Sequence, residues 1–166
     1  MTRVTRILAL ASAIAALVAA CAVYDGPARI SAEAPDRAAF ASVAPLLVDR
    51  CGSLDCHGSI YRSYRLYGVF GARLDAAHRP DSPATTPAEI AADYDATVSL
   101  EPEIVARVAS GAATAGELTL VRKATGAEQH AGGARLPSGS DGERCLVAWL
   151  ARRADDDACR RAVAAP

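Results

Sequence analysis

The chain of 166 residues has a single methionine, Met1, and a single lysine, Lys123. Positive charge comes almost wholly from arginine: lysine and arginine together number 18 against 19 acids, for a net charge of -1. The basic residues are scattered among acids, which excludes the basic stripe that would hold nucleic acid. No repeat or long low-complexity tract is present, so a solenoid or array is excluded as well. The longest apolar run, Ile7 to Leu17, falls short of the roughly 20 residues that cross a bilayer. Hydrolytic chemistry lacks its setting. Ser53 and Ser138-Gly139-Ser140 have no strand-turn-helix context, and no histidine has a nearby partner acid. Asp155-Asp156-Asp157 has no loop glycine for calcium and reads as a helix start, where acids offset the dipole.

The short apolar run follows Arg3 and Arg6 and ends in small residues, the pattern of a cleaved export signal. Leu17-Val18-Ala19-Ala20-Cys21 resembles a bacterial lipobox, which implies lipidation of Cys21 after removal of residues 1–20. An ordinary secretory signal or an uncleaved anchor are the alternatives. Cleavage removes two arginines and no acid and moves the net charge from -1 to -3. Ala22 lacks the aspartate that retains some lipoproteins at the inner membrane, which leans towards the outer one. Export also sets the redox compartment. Four cysteines besides Cys21 then need explanation, and Cys145 and Cys159 read as a disulfide pinning the C-terminal segment.

Residues 21–35 show no apolar period and read as a tether. From 36 to 50, Phe40, Val43, Leu46 and Leu47 share a helix face, with Asp36 as N-cap and Pro45 as a kink or restart. Thr86-Pro87-Ala88-Glu89 is a capping box opening a helix to about Val98. A short helix from Glu101-Pro102 carries Ile104, Val105 and Val108 and stops at Gly111. Residues 117–123 read as a short strand or extended segment. Ser140-Asp141-Gly142-Glu143 is a second capping box, before a helix bearing Leu146, Trp149 and Leu150, and a last helix surrounds Cys159. The fold class is therefore mainly α, as one domain over 36–166.

Chemistry concentrates in Cys51-Gly52-Ser53-Leu54-Asp55-Cys56-His57-Gly58. A c-type haem is held by thioethers from two cysteines, and the histidine after the second gives iron an axial nitrogen. The usual spacing places two residues between the cysteines; four stand here. Two other readings use the same residues. Cys51 and Cys56 are able to form a small disulfide, or Cys51, Cys56, His57 and His78 to supply a zinc site.

The turn Val48-Asp49-Arg50-Cys51, the Cys56-His57-Gly58 step, the loop His130-Ala131-Gly132-Gly133 and the Trp149-Leu150 helix together resemble cytochrome c-like domains of exported bacterial lipoproteins. The resemblance is clearest over Val48–Gly58 and weaker over Leu120–Gly133 and Arg144–Leu150. It implies a small cytochrome c-like helical domain with long loops, its first and last helices packed across each other. It also implies one covalent haem c on Cys51 and Cys56, with His57 as proximal iron ligand. Methionine leaves with the signal, so the opposite ligand falls to His130, with His78, Lys123 or an open site as alternatives. Arg62, Arg65 or Arg73 would pair with the propionates, and Tyr61, Tyr64, Tyr67 and Phe70 would cover a ring edge. The expected protein is a lipid-anchored electron carrier of the cell envelope, exchanging single electrons with another exported redox protein. The alternative is a cofactor-free, disulfide-stabilised lipoprotein that binds or scaffolds a partner.

Overall fold

The computed structural model describes residues 32–165, and Cys21, the signal segment and most of the tether lie outside the described residues. Six α-helices and no β-strand occur among the described residues, joined by long loops. None of these helices is long and apolar enough to cross a membrane. Helix α1, Phe40–Cys51, buries Phe40, Val43, Leu46 and Leu47 as its periodicity requires. Asp36 does not cap it. Its Oδ1 accepts the Ala38 N–H at 2.7 Å, so Asp36 closes the turn before α1, and Ala39 leads into the helix with no side-chain cap. Pro45 lies inside α1 and does not interrupt it. Pro45 and Ala41, whose carbonyl loses its partner to the ring, are both exposed, so the carbonyl is not stranded in the core.

Helix α2, Pro87–Val98, opens with the full capping box of Thr86 and Glu89 and with proline in its first turn. Its buried residues Glu89, Asp93 and Thr97 recur every fourth position and form a polar stripe that faces the 61–74 loop. Helix α3, Pro102–Ala109, buries Val105 and Val108, and Gly111 turns the chain away with φ of 79°.

The extended segment expected at 117–123 is instead a 3-10 turn, Ala115–Glu117, followed by α4, Thr119–Thr125. Thr114 and Glu117 form a capping box ahead of it, and Gly126 ends it in the left-handed region at φ 85°. Leu118, Val121 and Ala124 are buried, a spacing of three that suits a helix face rather than alternation.

Helices α5, Asp141–Leu150, and α6, Asp156–Ala164, form a hairpin joined by the Cys145–Cys159 disulfide. Ser140 accepts the Glu143 N–H at 3.1 Å, but Glu143 turns back to Gly139 rather than to Ser140, so this second capping box is half made. Asp155 caps α6 by accepting the Ala158 N–H at 2.9 Å. Helix α1 packs against α2, α5 and α6. At their centre Phe40 meets Trp149 with ring centroids 4.8 Å apart and Tyr94 at 5.6 Å. The polar tips of this cluster fasten the chain before α1: Tyr94 Oη donates to the Pro35 carbonyl and Trp149 Nε1 to that of Asp36, each at 2.8 Å. The end of the expected tether is thus seated on the domain, with Pro35 buried.

Candidate functional site

The loop after α1 is held almost entirely by backbone. His57 N–H donates to the Cys51 carbonyl at 2.9 Å, and Leu66 N–H to the His57 carbonyl at 2.8 Å. Ala72 N–H bonds the Gly58 carbonyl at 2.6 Å. This closeness requires glycine. A Cβ on Gly58 would lie 1.9 Å from the Gly52 carbonyl oxygen, and one on Gly71 would lie 2.2 Å from the same oxygen. The 61–74 segment therefore folds back over the cysteine-histidine loop and clamps it.

The clamp fixes the ring as well as the backbone of His57. Its Nδ1 lies 3.0 Å from the Tyr64 carbonyl, an acceptor only, so Nδ1 carries the proton and Nε2 keeps the lone pair. Orientation of a histidine through its second nitrogen is the arrangement metal-ligating imidazoles use. Burial lowers the His57 pKa from its ordinary value, outweighing the Tyr64 bond, which keeps the ring neutral at neutral pH.

His130 lies opposite. The two imidazole rings are parallel within 7°, with centroids 5.8 Å apart. Both border a cleft of about 460 Å³, whose walls include Cys51, Tyr64, Leu100 and Leu120 and whose charged groups are Arg62, Lys123, Arg135 and one acid, Glu101. His130 Nδ1 is buried without a partner, against the turn at Gly132. Metal-to-imidazole nitrogen bonds are about 2.0–2.1 Å, so two rings on opposite sides of one metal have centroids roughly 6 Å apart. The separation alone does not make a ligand pair: the two rings are stacked, whereas ligands of one metal point their nitrogens edge-on at it, so sharing a metal requires a ring to turn. Apolar walls, two neighbouring imidazoles and three cations are the residues here that would hold a haem and its carboxylates, with Cys51 as the one cysteine in the lining.

Cys51 and Cys56 carry free thiols, so no disulfide joins them. Burial, with Cys56 adding to it, pushes the Cys51 thiol up to about 11. Cys51 lines the cleft and Cys56 does not. The expected zinc set is not assembled: His78 lies off the cleft, and among the described residues no group of three or more His, Cys, Asp or Glu side chains is placed to hold a metal ion.

Of the arginines expected to meet propionates, only Arg62 reaches the cleft. Arg73 is committed elsewhere. Its side chain is 3% exposed and binds the fully buried Glu89 through Nε at 2.8 Å and Nη2 at 3.0 Å. Arg65 binds the Ile60 carbonyl at 2.6 Å and the Tyr67 hydroxyl at 3.1 Å. Among the aromatics only Tyr64 borders the cleft, its ring 4.9 Å from that of His57, while Tyr61 is 90% exposed.

Sequence reasoning missed Arg135 and Leu120; it named Lys123 as an alternative iron ligand but not the helical face of α4 that carries Lys123 and Leu120 to the cleft. It missed them because residues 117–123 read as extended; Gly126, the helix stop, was the available signal. Glu101 ties this wall together by accepting the Thr119 N–H at 2.6 Å and the Thr119 hydroxyl at 3.0 Å. The chain matches no family model and has no significant match among curated proteins or solved structures.

Proposed function

We propose that this protein is a lipid-anchored c-type haem protein that carries single electrons in the cell envelope. In this reading Cys51 and Cys56 bind the haem covalently, His57 and His130 are its axial ligands, and Cys21 carries the lipid. The observation that carries the reading is that two imidazoles, 73 positions apart in the chain, are brought together with centroids 5.8 Å apart at a cleft that also holds Cys51; they are stacked, so binding one iron requires a ring to turn. When bound, the haem would supply the one-electron couple. Two histidine ligands would give it a lower potential than a histidine-methionine pair.

The chain's own residues do the rest. Tyr64 aims His57 through Nδ1 and its buried ring walls the cleft. Arg62, Lys123 and Arg135 are the cations for the propionates. Leu100 and Leu120 would supply apolar contact to the group when bound. The partner is another exported redox protein, and no substrate chemistry is assigned to the chain.

One observation favours the cofactor-free binding lipoprotein instead: Cys56 does not line the cleft, so its thioether requires a side-chain movement. Intact mass of the protein from its own host separates the two readings. A covalent haem adduct, reduced to single-point attachment in Cys51→Ser and in Cys56→Ser, supports the haem protein. Polypeptide mass alone in the wild type leaves the binding module.

A further inference from the structure

The loop that clamps His57 has a second character on its outer side. Of the seven large apolar side chains exposed among the described residues, five belong to residues 54–74: Leu54, Ile60, Tyr61, Phe70 and Leu74, between 45% and 90% exposed. Single exposed apolar residues are ordinary, but their concentration on one part of a surface marks a contact. The same stretch supplies the core from other positions, since Tyr64 and Leu66 are buried.

The five side chains stand on one rim. Gly52, Gly58 and Gly71 meet so closely that a Cβ on Gly71 would lie 2.6 Å from the Gly58 Cα and 2.2 Å from the Gly52 carbonyl oxygen. Each of the five lies within three residues of one of these glycines, which puts its backbone within about 11 Å of the shared point. Backbone bonds from Leu66 to His57 and from Ala72 to Gly58, 2.8 and 2.6 Å long, hold the rim in place. Its charge is balanced. Asp55, Asp75 and Asp81 stand against Arg62, Arg65 and Arg79, while Arg73 is neutralised by Glu89.

The tether identifies the occupant. Pro35 is buried before the start of α1, its carbonyl held by Tyr94 Oη at 2.8 Å, and Cys21 stands fourteen residues earlier. A chain of that length spans at most about 50 Å. Helix α1 leads from this seat to the rim and, with twelve residues, is only about 18 Å long. A lipid on Cys21 therefore keeps a bilayer within reach of the rim at all times, at an effective concentration on the order of millimolar. At that concentration even a weak apolar contact is populated, an advantage that a diffusing protein partner lacks.

We propose that this rim rests on the bilayer that holds the lipid anchor, with Leu54, Ile60, Tyr61, Phe70 and Leu74 among the headgroups. The proposal rests on the lipid anchor of the reading above and not on the haem. Balanced charge suits a contact made by apolar insertion rather than by attraction to phosphates. Arg62 and Ser63, next to Tyr61, border the cleft, so the contact holds the cleft mouth beside the membrane.

The test uses residues 21–166 with Cys21→Ser, exported by the native host behind a signal without a lipobox, so that the domain matures but bears no lipid. It is sedimented with vesicles of phosphatidylcholine alone and of phosphatidylcholine mixed equally with phosphatidylglycerol. The parent partitions onto both, with less than about a threefold change between low and high salt. Ile60→Ser combined with Tyr61→Ser lowers the partition coefficient roughly tenfold or more at an unchanged urea midpoint, because two large apolar side chains no longer leave water. Tyr61→Trp shifts its emission to the blue on vesicles, over the constant background of the buried Trp149.

Absence of partitioning by the parent, or equal partitioning by the double variant, overturns the proposal. Binding that needs phosphatidylglycerol and vanishes in salt also overturns it, by assigning the contact to the cations. So does a dimer in vesicle-free solution that the double variant dissociates, which assigns the rim to a second copy. Intact mass of the native protein tests the anchor separately. A Cys21 without lipid removes the anchor and the proposal with it, whereas failure on vesicles with a lipidated Cys21 removes the proposal alone.

Discussion

Replacing Glu89 with glutamine will destabilise the protein by about 3 kcal/mol at neutral pH, although Glu89 lies outside the cleft. Its carboxylate is fully buried and receives Arg73 Nε at 2.8 Å, Arg73 Nη2 at 3.0 Å, Leu74 N–H at 3.1 Å and Thr86 N–H at 2.8 Å. Burial alone would raise its pKa; Arg73 and the backbone donors reverse this and hold it at about 2, against an ordinary 4.5. That drop corresponds to about 3 kcal/mol of native-state preference for the charged form. Removing one partner of a buried pair costs a similar 3–5 kcal/mol or so, because the other charge is stranded. Arg73 keeps carbonyl acceptors at Arg79 and Pro83, 2.9 and 2.8 Å away, which places the cost at the lower end. The assay is urea unfolding monitored by the Trp149 signal in both proteins. A folded carboxyl below its unfolded value gives stability that is complete above about pH 4.5 and lost as pH falls towards 2. The difference between wild type and Glu89→Gln must therefore shrink over that interval. A difference below about 1 kcal/mol at pH 7, or one that stays constant down to pH 2.5, refutes the reasoning.

Other positions give sharper contrasts. Gly58→Ala meets rigid backbone 1.9 Å away and should cost about 3 kcal/mol and shift the His57 environment, read by nuclear magnetic resonance of the ring. Gly111→Ala has open space but a φ of 79°, so its cost should stay near 1–2 kcal/mol by the same denaturation assay. The double variant Cys145→Ser and Cys159→Ser opens a loop that spans a sequence separation of 14 and should lose about 3 kcal/mol, measured against the oxidised parent. Phe40→Ala empties the aromatic centre shared with Trp149 and Tyr94 and should lose about 3–5 kcal/mol in urea unfolding.

Local signals marked the helices well where they were self-contained. Thr86, Pro87 and Glu89 define the start of α2 within four residues, and Asp155 does the same for α6. The Cys145–Cys159 pair was legible because a short helical hairpin brings its members together. Signals failed where a residue had two local uses. Asp36 serves a turn rather than a helix, and Glu143 reaches Gly139 rather than Ser140. Tertiary roles were invisible for a further reason. Nothing adjacent to Arg73 announces Glu89 sixteen residues away, so an arginine near the histidine motif read as a cation for the site. The glycines of the motif carried information that became clear only when Gly52, Gly58 and Gly71 were seen to share one crowded point. His57 and His130, 73 positions apart in the chain, are brought together at the cleft, a proximity no local signal announces.

The most direct test of the account is the visible spectrum of the ferric and reduced protein, purified from its own host, for wild type and His130→Ala. The account predicts a covalently attached haem with a six-coordinate, low-spin spectrum in wild type and a five-coordinate, high-spin spectrum in the variant. A colourless wild-type protein with the mass of the polypeptide and its Cys145–Cys159 disulfide would contradict the account. A haem spectrum unaltered by His130→Ala would contradict the paired-histidine site at its centre.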